Sequence, residues 1–396
     1  MEHPTRDRPR ATLMILDGAR PDVFDRLREA GDLPNIERHL LAGGPPCRAV
    51  TVFPSTTGVA YLPMLTGCFP GTCDIPGIRW LDVREFRGRW WRAGDGLRSY
   101  CGYQGVLLNE DVRPGILSLF DLVDDSVALC TPFHRGLAAG RVRVRGSRMV
   151  WGSIGHYTGH WRRLERAIGS ELAAVARARP RLAFAVFPGV DCVTHRRDPF
   201  HPDVLRVYRE FDGAIGRFAA AGGFEGDSLV IVASDHGAAR VERHTDVALA
   251  LEAAGVPTLR HPVVWRRAPR AAVMVSGNGS AQVYLRPGEP RGRRIAPDEI
   301  ERGDVEGIPA DLVQRLADLP GVALVAAREG EAVRVTSREG RAIVAADGEG
   351  GIRYSPETAD VLRLGGAATG SERAWLEASI DGAYPDAPVQ LLQLFR

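Results

Sequence analysis

An α/β fold, with a mostly parallel central sheet flanked by helices on both faces, is the architecture that this 396-residue sequence predicts. Three runs carry the prediction: Ala11 to Leu16, Leu182 to Phe187 and Ser228 to Ala233 are rich in apolar side chains and end abruptly at Asp, Pro or Ser. Strands buried on both faces read this way, because neither face needs the polar residues that produce alternation. A stretch of helical period follows each run, at Pro21 to Ala30, Pro202 to Ala220 and Thr245 to Ala254. Strand, loop and helix repeated in that order favour parallel pairing, since the crossover is long enough to hold a helix.

The pattern breaks down between Cys68 and about Glu165 into Gly-, Trp- and Arg-rich sequence such as Arg87 to Gly94. A cap inserted over the sheet at about 68–165 is the simplest account. Two further strand candidates, Ala271 to Ser276 and Ala281 to Leu285, complete an expected core domain of residues 1–290. The Pro/Gly/Arg segment Pro287 to Gly307 reads as an exposed connection. Beyond it, Ala310 to Leu316 looks helical, and Val322 to Ala326, Ala332 to Thr336 and Ala342 to Ala345 look like short strands joined by Arg-Glu-Gly turns. Residues 291–396 are therefore expected to form a small α+β extension packed on the core.

Hydrophobic residues at 44% and charged residues at 25% are those of an ordinary globular protein. The formal charge is only +2, and the 51 basic residues, all Arg, are scattered rather than gathered into a run that would track a nucleic-acid backbone. Binding of a nucleic-acid polymer is not expected. The apolar run after the polar start MEHPTRDRPR is too short for a signal-peptide core or a membrane span, which points to the cytoplasm. In that reducing compartment the six cysteines, which contain no CxxC pair, would remain thiols.

Open sheets of this kind bind ligands at the carboxyl ends of their strands, so polar residues just after strands are the first suspects. The first strand ends in Leu16-Asp17-Gly18, a carboxylate beside a glycine that lets backbone approach closely. The second runs into Pro188-Gly-Val-Asp191-Cys-Val-Thr-His195, where Asp and His share one face if the segment is a helical turn. The third delivers Ser234-Asp235-His236-Gly237, and His244 follows eight positions on, where the next helix is expected to open. Phe53-Pro-Ser-Thr-Thr57-Gly58 precedes Val59 to Leu65 and Thr66-Gly67. A Thr at the start of a helix caps it, and the same position aims the hydroxyl and the Gly58 amide at a phosphate.

The order Asp, Thr, Asp-x3-His, Asp-His-Gly, His resembles the alkaline phosphatase superfamily and, within it, the type I phosphodiesterase and nucleotide pyrophosphatase branch. The spacing from Thr57 to Thr66-Gly67 looks like that between the branch's nucleophile and its own Thr-Gly. The resemblance covers roughly residues 11 to 285. It implies an alkaline-phosphatase-like fold in which Asp17, Thr57, Asp235 and His236 hold one metal while Asp191, His195 and His244 hold the other, with His261 the alternative for the last place. Oxygen and nitrogen ligands of this mix suit zinc best, with manganese or iron also accommodated.

Two such ions sit roughly 3.5–4 Å apart and clamp the attacking and leaving oxygens. The implied activity is hydrolysis of a small-molecule phosphate ester, as a phosphodiesterase or nucleotide pyrophosphatase, through a phospho-threonine at Thr57. Phosphomonoesterase, phosphonate hydrolase and phosphoryl-transfer chemistry are the alternatives within the superfamily, and a catalytically degenerate binding protein is the alternative outside it. One departure bears on substrate: the branch follows its nucleophile with Phe-Pro-Asn-His, whose Asn steadies a phosphoryl oxygen, whereas this chain reads Gly58-Val59-Ala60-Tyr61.

Overall fold

Every residue of the all-apolar strand Leu182–Phe187 is buried, as a position at the centre of a covered sheet requires. The computed structural model describes residues 8–86, 96–147, 150, 153–158, 160–260, 268–277, 279–287 and 294–395. Its five-stranded sheet comprises Arg10–Leu16 (β1), Ser126–Leu129 (β2), Val142–Arg143 (β3), Leu182–Phe187 (β4) and Ser228–Ala233 (β5), in the spatial order β3-β2-β4-β1-β5. All of these pairings are parallel. Leu16 lies opposite Phe187 and Ile15 opposite Ala233, so the chain leaves β1, β4 and β5 at the same edge of the sheet. That edge receives Asp17, Pro188 and Ser234.

Helices cover both faces, as expected. Relevant here are Pro21–Glu29 (α1), Pro34–His39 (α2), Leu62–Thr66 (α3), Leu119–Leu122 (α4), Arg162–Ala178 (α5), Gly189–Thr194 (α6) and Pro202–Ala220 (α7). Side chains of β4 alternate between the faces. Phe187 meets Phe211 of α7 with ring centroids 4.9 Å apart, in a core that also takes Met14, Leu16 and the α5 residues Leu164, Ile168 and Leu172. Phe184, of opposite parity, meets Tyr61 and Phe120 of α4 at 6.0 and 6.3 Å. The buried stripe of α7, Val204, Val207, Tyr208, Phe211, Ile215 and Phe218, follows the helical period that the sequence showed. Buried Asp212 ties α2 to α7 by accepting the Asn35 and Ile36 backbone N–H groups at 2.9 and 2.8 Å.

Two expectations about organisation change. The stretch 68–165, expected as a cap, supplies β2 and β3 to the central sheet; the first is only four residues long and the second two, too short for a periodic signature. The compact unit that carries this sheet comprises residues 1–51, 55–68 and 102–240, so it ends well before residue 290. Residues 52–54, 69–101 and 241–396 form the second unit, because the strands after residue 240 pair among themselves.

The second unit holds a three-stranded sheet of Thr258–Arg260, Ala271–Val275 and Ala281–Leu285, and a hairpin of Arg79–Leu81 with Leu97–Ser99. Its third sheet is an antiparallel meander of Val325–Glu329, Ala332–Ser337, Gly340–Ala346, Ile352–Pro356 and Ala368–Gly370. The first of these strands starts three residues later than expected, after Pro320-Gly321 and a turn, and the last two carried no clear signal. Among the described residues no helix is long and apolar enough to cross a membrane.

Candidate active site

Asp17 is the first residue beyond β1, and its placement is set by backbone on two sides. Its N–H donates to the Phe187 carbonyl at 3.0 Å, and its own carbonyl accepts the Asp191 N–H at 3.0 Å. Gly18 has φ +75°, and a Cβ there would lie 2.8 Å from the Asp191 Cα, so only glycine lets the two loops touch. The Gly18 N–H reaches the Asp235 Oδ1 at 3.3 Å, and the Thr51 hydroxyl donates to the Asp235 carbonyl. Arg20 donates to the Ala238 carbonyl at 2.8 Å, a further tie between the loops after β1 and β5.

These ties bring together side chains that are far apart in sequence. The Thr57 Oγ1 lies 3.2 Å from the His236 Nε2 and 3.3 Å from the Asp17 Oδ1. The His236 Nε2 is 3.4 Å from Asp17 and 3.5 Å from Asp235. One ligand atom each from Asp17, Asp191 and His236 lies within 4.8 Å of the others, a grouping able to hold a cation. The segment of Asp191 is helical, as the Asp-x3-His spacing required, and His195 at its end places Nε2 3.2 Å from the Asp191 Oδ2.

The electrostatics are those of carboxylates short of positive charge. Asp17 is 1% exposed and Asp235 is 0% exposed. Burial, followed by the charges of Asp235 and Asp191, pushes the Asp17 carboxyl well above its ordinary range, against the hydrogen bonds from Tyr61 and Thr57. Burial also raises the Asp235 carboxyl, opposed first by the charge of His236. The Asp235 Oδ2 is buried and accepts no hydrogen bond from the described residues. An orphaned carboxylate oxygen beside two more carboxylates and an imidazole fits a divalent cation, whose charge would relieve both the repulsion and the unmet acceptor.

A family model for type I phosphodiesterase / nucleotide pyrophosphatase matches residues 11–343. The chain belongs to that family. The family resemblance drawn from the order Asp, Thr, Asp-x3-His, Asp-His-Gly, His therefore holds, and the match extends beyond residue 285. The fold is similar to that of phosphonoacetate hydrolase from Sinorhizobium meliloti 1021 in complex with phosphonoacetate, with TM-score 0.50, 16% identity, and 77% of this chain and 79% of that chain covered. The phosphonoformate complex of the same hydrolase aligns over the same shares at 16% identity, with TM-score 0.49. No curated protein matches the sequence.

In this member of the type I phosphodiesterase family the segment after Thr57 differs from the sequence expectation. The helix α3 begins at Leu62 rather than next to Thr57, and residues 57–61 form successive turns. Gly58 at φ +84° keeps that stretch from being helical, so the Gly58 amide is a turn amide and not the end of a helix dipole. The side of Gly58 where a Cβ would stand faces Leu108 and Pro132 at 3.6 and 3.7 Å. His244 is exposed and belongs to the second unit, ahead of the helix Val247–Ala253, whose N-cap is Asp246. Its expected place at a helix start is thus taken by Asp246, whose carboxylate accepts the Leu249 N–H at 3.0 Å. His261 lies outside the described residues.

Two residues at the site escaped the sequence reading. Tyr61 donates its hydroxyl to the Asp17 Oδ2 at 2.7 Å, whereas the sequence showed it only as part of the departure Gly58-Val59-Ala60-Tyr61. Glu165 on α5 is buried and accepts the Gly189 N–H at 2.8 Å, beneath the helix that carries Asp191. Burial lifts its carboxyl to about 8. Its position on the apolar stripe of α5, one residue after Leu164 and three before Ile168, was its one signal.

Proposed function

We propose that this chain is a metal-dependent phosphoric ester hydrolase of the phosphodiesterase or nucleotide pyrophosphatase kind, with Thr57 as its nucleophile and a small-molecule phosphate ester as its substrate. The observation that carries the reading is the Thr57 hydroxyl within 3.2–3.4 Å of His236 and Asp17, in the cluster that Asp191 and Asp235 complete. Asp17, Thr57, Asp235 and His236 would hold one cation. Asp191 and His195 would hold the second. Zinc is the first candidate for this oxygen and nitrogen set, ahead of manganese and iron. When bound, such ions lower the proton affinity of a nearby hydroxyl and neutralise charge that develops on phosphoryl oxygens.

The chain's own groups do the rest. Asp17 and His236 flank the Thr57 Oγ1 and orient it for in-line attack. The Oγ1 releases its proton to solvent as it bonds to phosphorus, and the ester oxygen leaves with the electron pair of the broken bond and takes up a proton from solvent, giving the alcohol. Water then attacks the phospho-threonine from the side opposite Thr57 and returns the hydroxyl. The amide of Gly58, unobstructed by a side chain, is the donor closest in sequence to receive a phosphoryl oxygen, since this chain has no amide side chain among residues 58–61. That difference weighs against nucleotide pyrophosphate as the preferred substrate.

The test is a substrate panel. Phosphate diesters, monoesters, nucleotides and phosphonates are assayed side by side with zinc or manganese and again in chelator. Metal-dependent release of an alcohol from a diester supports the reading, and no turnover of any member with either metal overturns it.

A further inference from the structure

We infer that Tyr61 is a positioning residue that fixes the orientation of the Asp17 carboxylate toward the site and holds Thr57 in register with it. The inference rests on the functional reading above and deepens it.

The Tyr61 hydroxyl is bonded to one oxygen of Asp17 only, the Oδ2, at 2.7 Å. The Oδ1 faces the His236 Nε2 at 3.4 Å, while the Thr57 Oγ1 lies 3.3 Å from the Oδ1 and 3.4 Å from the Oδ2. A carboxylate with one oxygen bonded to a buried phenol is held in a fixed orientation, with its other oxygen turned to His236. The residue that enforces this belongs to the turn of the nucleophile itself. Thr57 and Tyr61 bracket residues 58–60, and the Ala60 N–H to Thr56 carbonyl and Tyr61 N–H to Gly58 carbonyl bonds, at 3.0 and 3.3 Å, hold the turn closed. Both ends of one short turn thus reach the same carboxylate.

The ring cannot drift to spoil this arrangement. Tyr61 is 0% exposed, and its ring packs edge-on against Phe184 with centroids 6.0 Å apart and planes at 68°. Packing alone would be served as well by phenylalanine, and a buried phenol without a partner is costly. The 2.7 Å bond to Asp17 satisfies the hydroxyl and fastens the carboxylate.

The test compares the full-length wild type, Tyr61→Phe and a packing control, Phe184→Leu, each checked for native circular dichroism. Cobalt(II) is titrated into each metal-free protein and followed by visible absorption, and kcat and KM are measured on a chromogenic phosphate diester. Tyr61→Phe is expected to bind cobalt about 10–100-fold more weakly, with a changed spectrum and a kcat loss exceeding any change in KM. Phe184→Leu is expected to melt at a lower temperature with the wild-type spectrum. Wild-type cobalt affinity and spectrum in folded Tyr61→Phe would overturn the inference, as would an equal affinity loss in Phe184→Leu. A wild type that takes up no cobalt, zinc or manganese fails at the functional reading instead, and the inference falls with it.

Discussion

The Thr57 Oγ1 and the His236 Nε2 stand 3.2 Å apart although 179 positions separate them in the chain. Neither residue is next to the other's strand, and the contact exists because β1 and β5 end at one edge while the Thr57 turn is bonded to the residue that follows β1. A hydroxyl so placed, between an imidazole and a carboxylate, is the centre of the proposed chemistry.

Replacing Thr57 with Ala removes the attacking oxygen and leaves the surrounding ligands in place. Initial rates on a phosphate diester should fall on the order of a thousandfold or more, while Thr57→Ser keeps measurable turnover. Full metal-dependent activity in the alanine variant would rule out a phospho-threonine.

Removing metal should lower stability in a pH-dependent way. The raised Asp17 and Asp235 carboxyls make the metal-free fold bind more protons than the unfolded chain does. Their contribution to the metal-free fold is full below the ordinary aspartate value of 3.8 and is lost as pH rises through the higher values of the folded state. Metal binding needs these groups ionised, so it strengthens over the same rise. The difference in melting temperature between zinc-loaded and chelated protein should therefore widen with pH. Zinc at a thousand times its dissociation constant should add about 4 kcal/mol. A difference that narrows as pH rises would contradict this assignment.

Gly18→Ala tests the contact between the loops after β1 and β4. The new Cβ would lie 2.8 Å from the Asp191 Cα at a backbone with φ +75°, and backbone atoms cannot swing aside as a flexible side chain can. A loss of about 1–3 kcal/mol is expected in a denaturant midpoint, with weaker metal binding because Asp191 must move. A variant as stable as the wild type would mean that the loops are not in contact.

Glu165 has a separable signature. Its carboxyl rises from 4.5 to about 8, chiefly through burial, so the folded state again holds the extra proton. Its contribution is complete below 4.5 and is lost as pH climbs to about 8, a change on the order of a few kcal/mol. Glu165→Gln keeps an oxygen for the Gly189 N–H and cannot ionise. Metal-free Glu165→Gln should be the more stable protein at pH 8 and above, with a flatter stability profile between pH 5 and 8. Parallel wild-type and variant profiles would show that Glu165 ionises without penalty.

Much of the arrangement was legible without coordinates. Leu182–Phe187, Ser228–Ala233 and Pro202–Ala220 have the observed bounds because abrupt polar ends and a helix-starting proline are local signals. The Asp191-x3-His195 spacing left a helical turn as a condition, and the helix Gly189–Thr194 meets it. The start of α3 was misjudged because Thr57 suggests a cap, while Gly58 takes a left-handed conformation that is specified by its surroundings. Very short strands such as Val142–Arg143 are stabilised by their neighbour in the sheet and leave almost no pattern of their own.

What the sequence determined alone was the class of fold, the family and the identity of the chemical groups, since periodicity, strand ends and motif order are properties of contiguous residues. The tertiary structure decided that Asp17, Asp191, Asp235, His236 and Thr57 share one sheet edge, that Tyr61 fastens Asp17, and that residues after 240 form a unit of their own. Those are outcomes of long-range pairing and burial, where hydrogen bonds and like charges from distant segments act at a few ångströms, and no local stretch of sequence contains that distance.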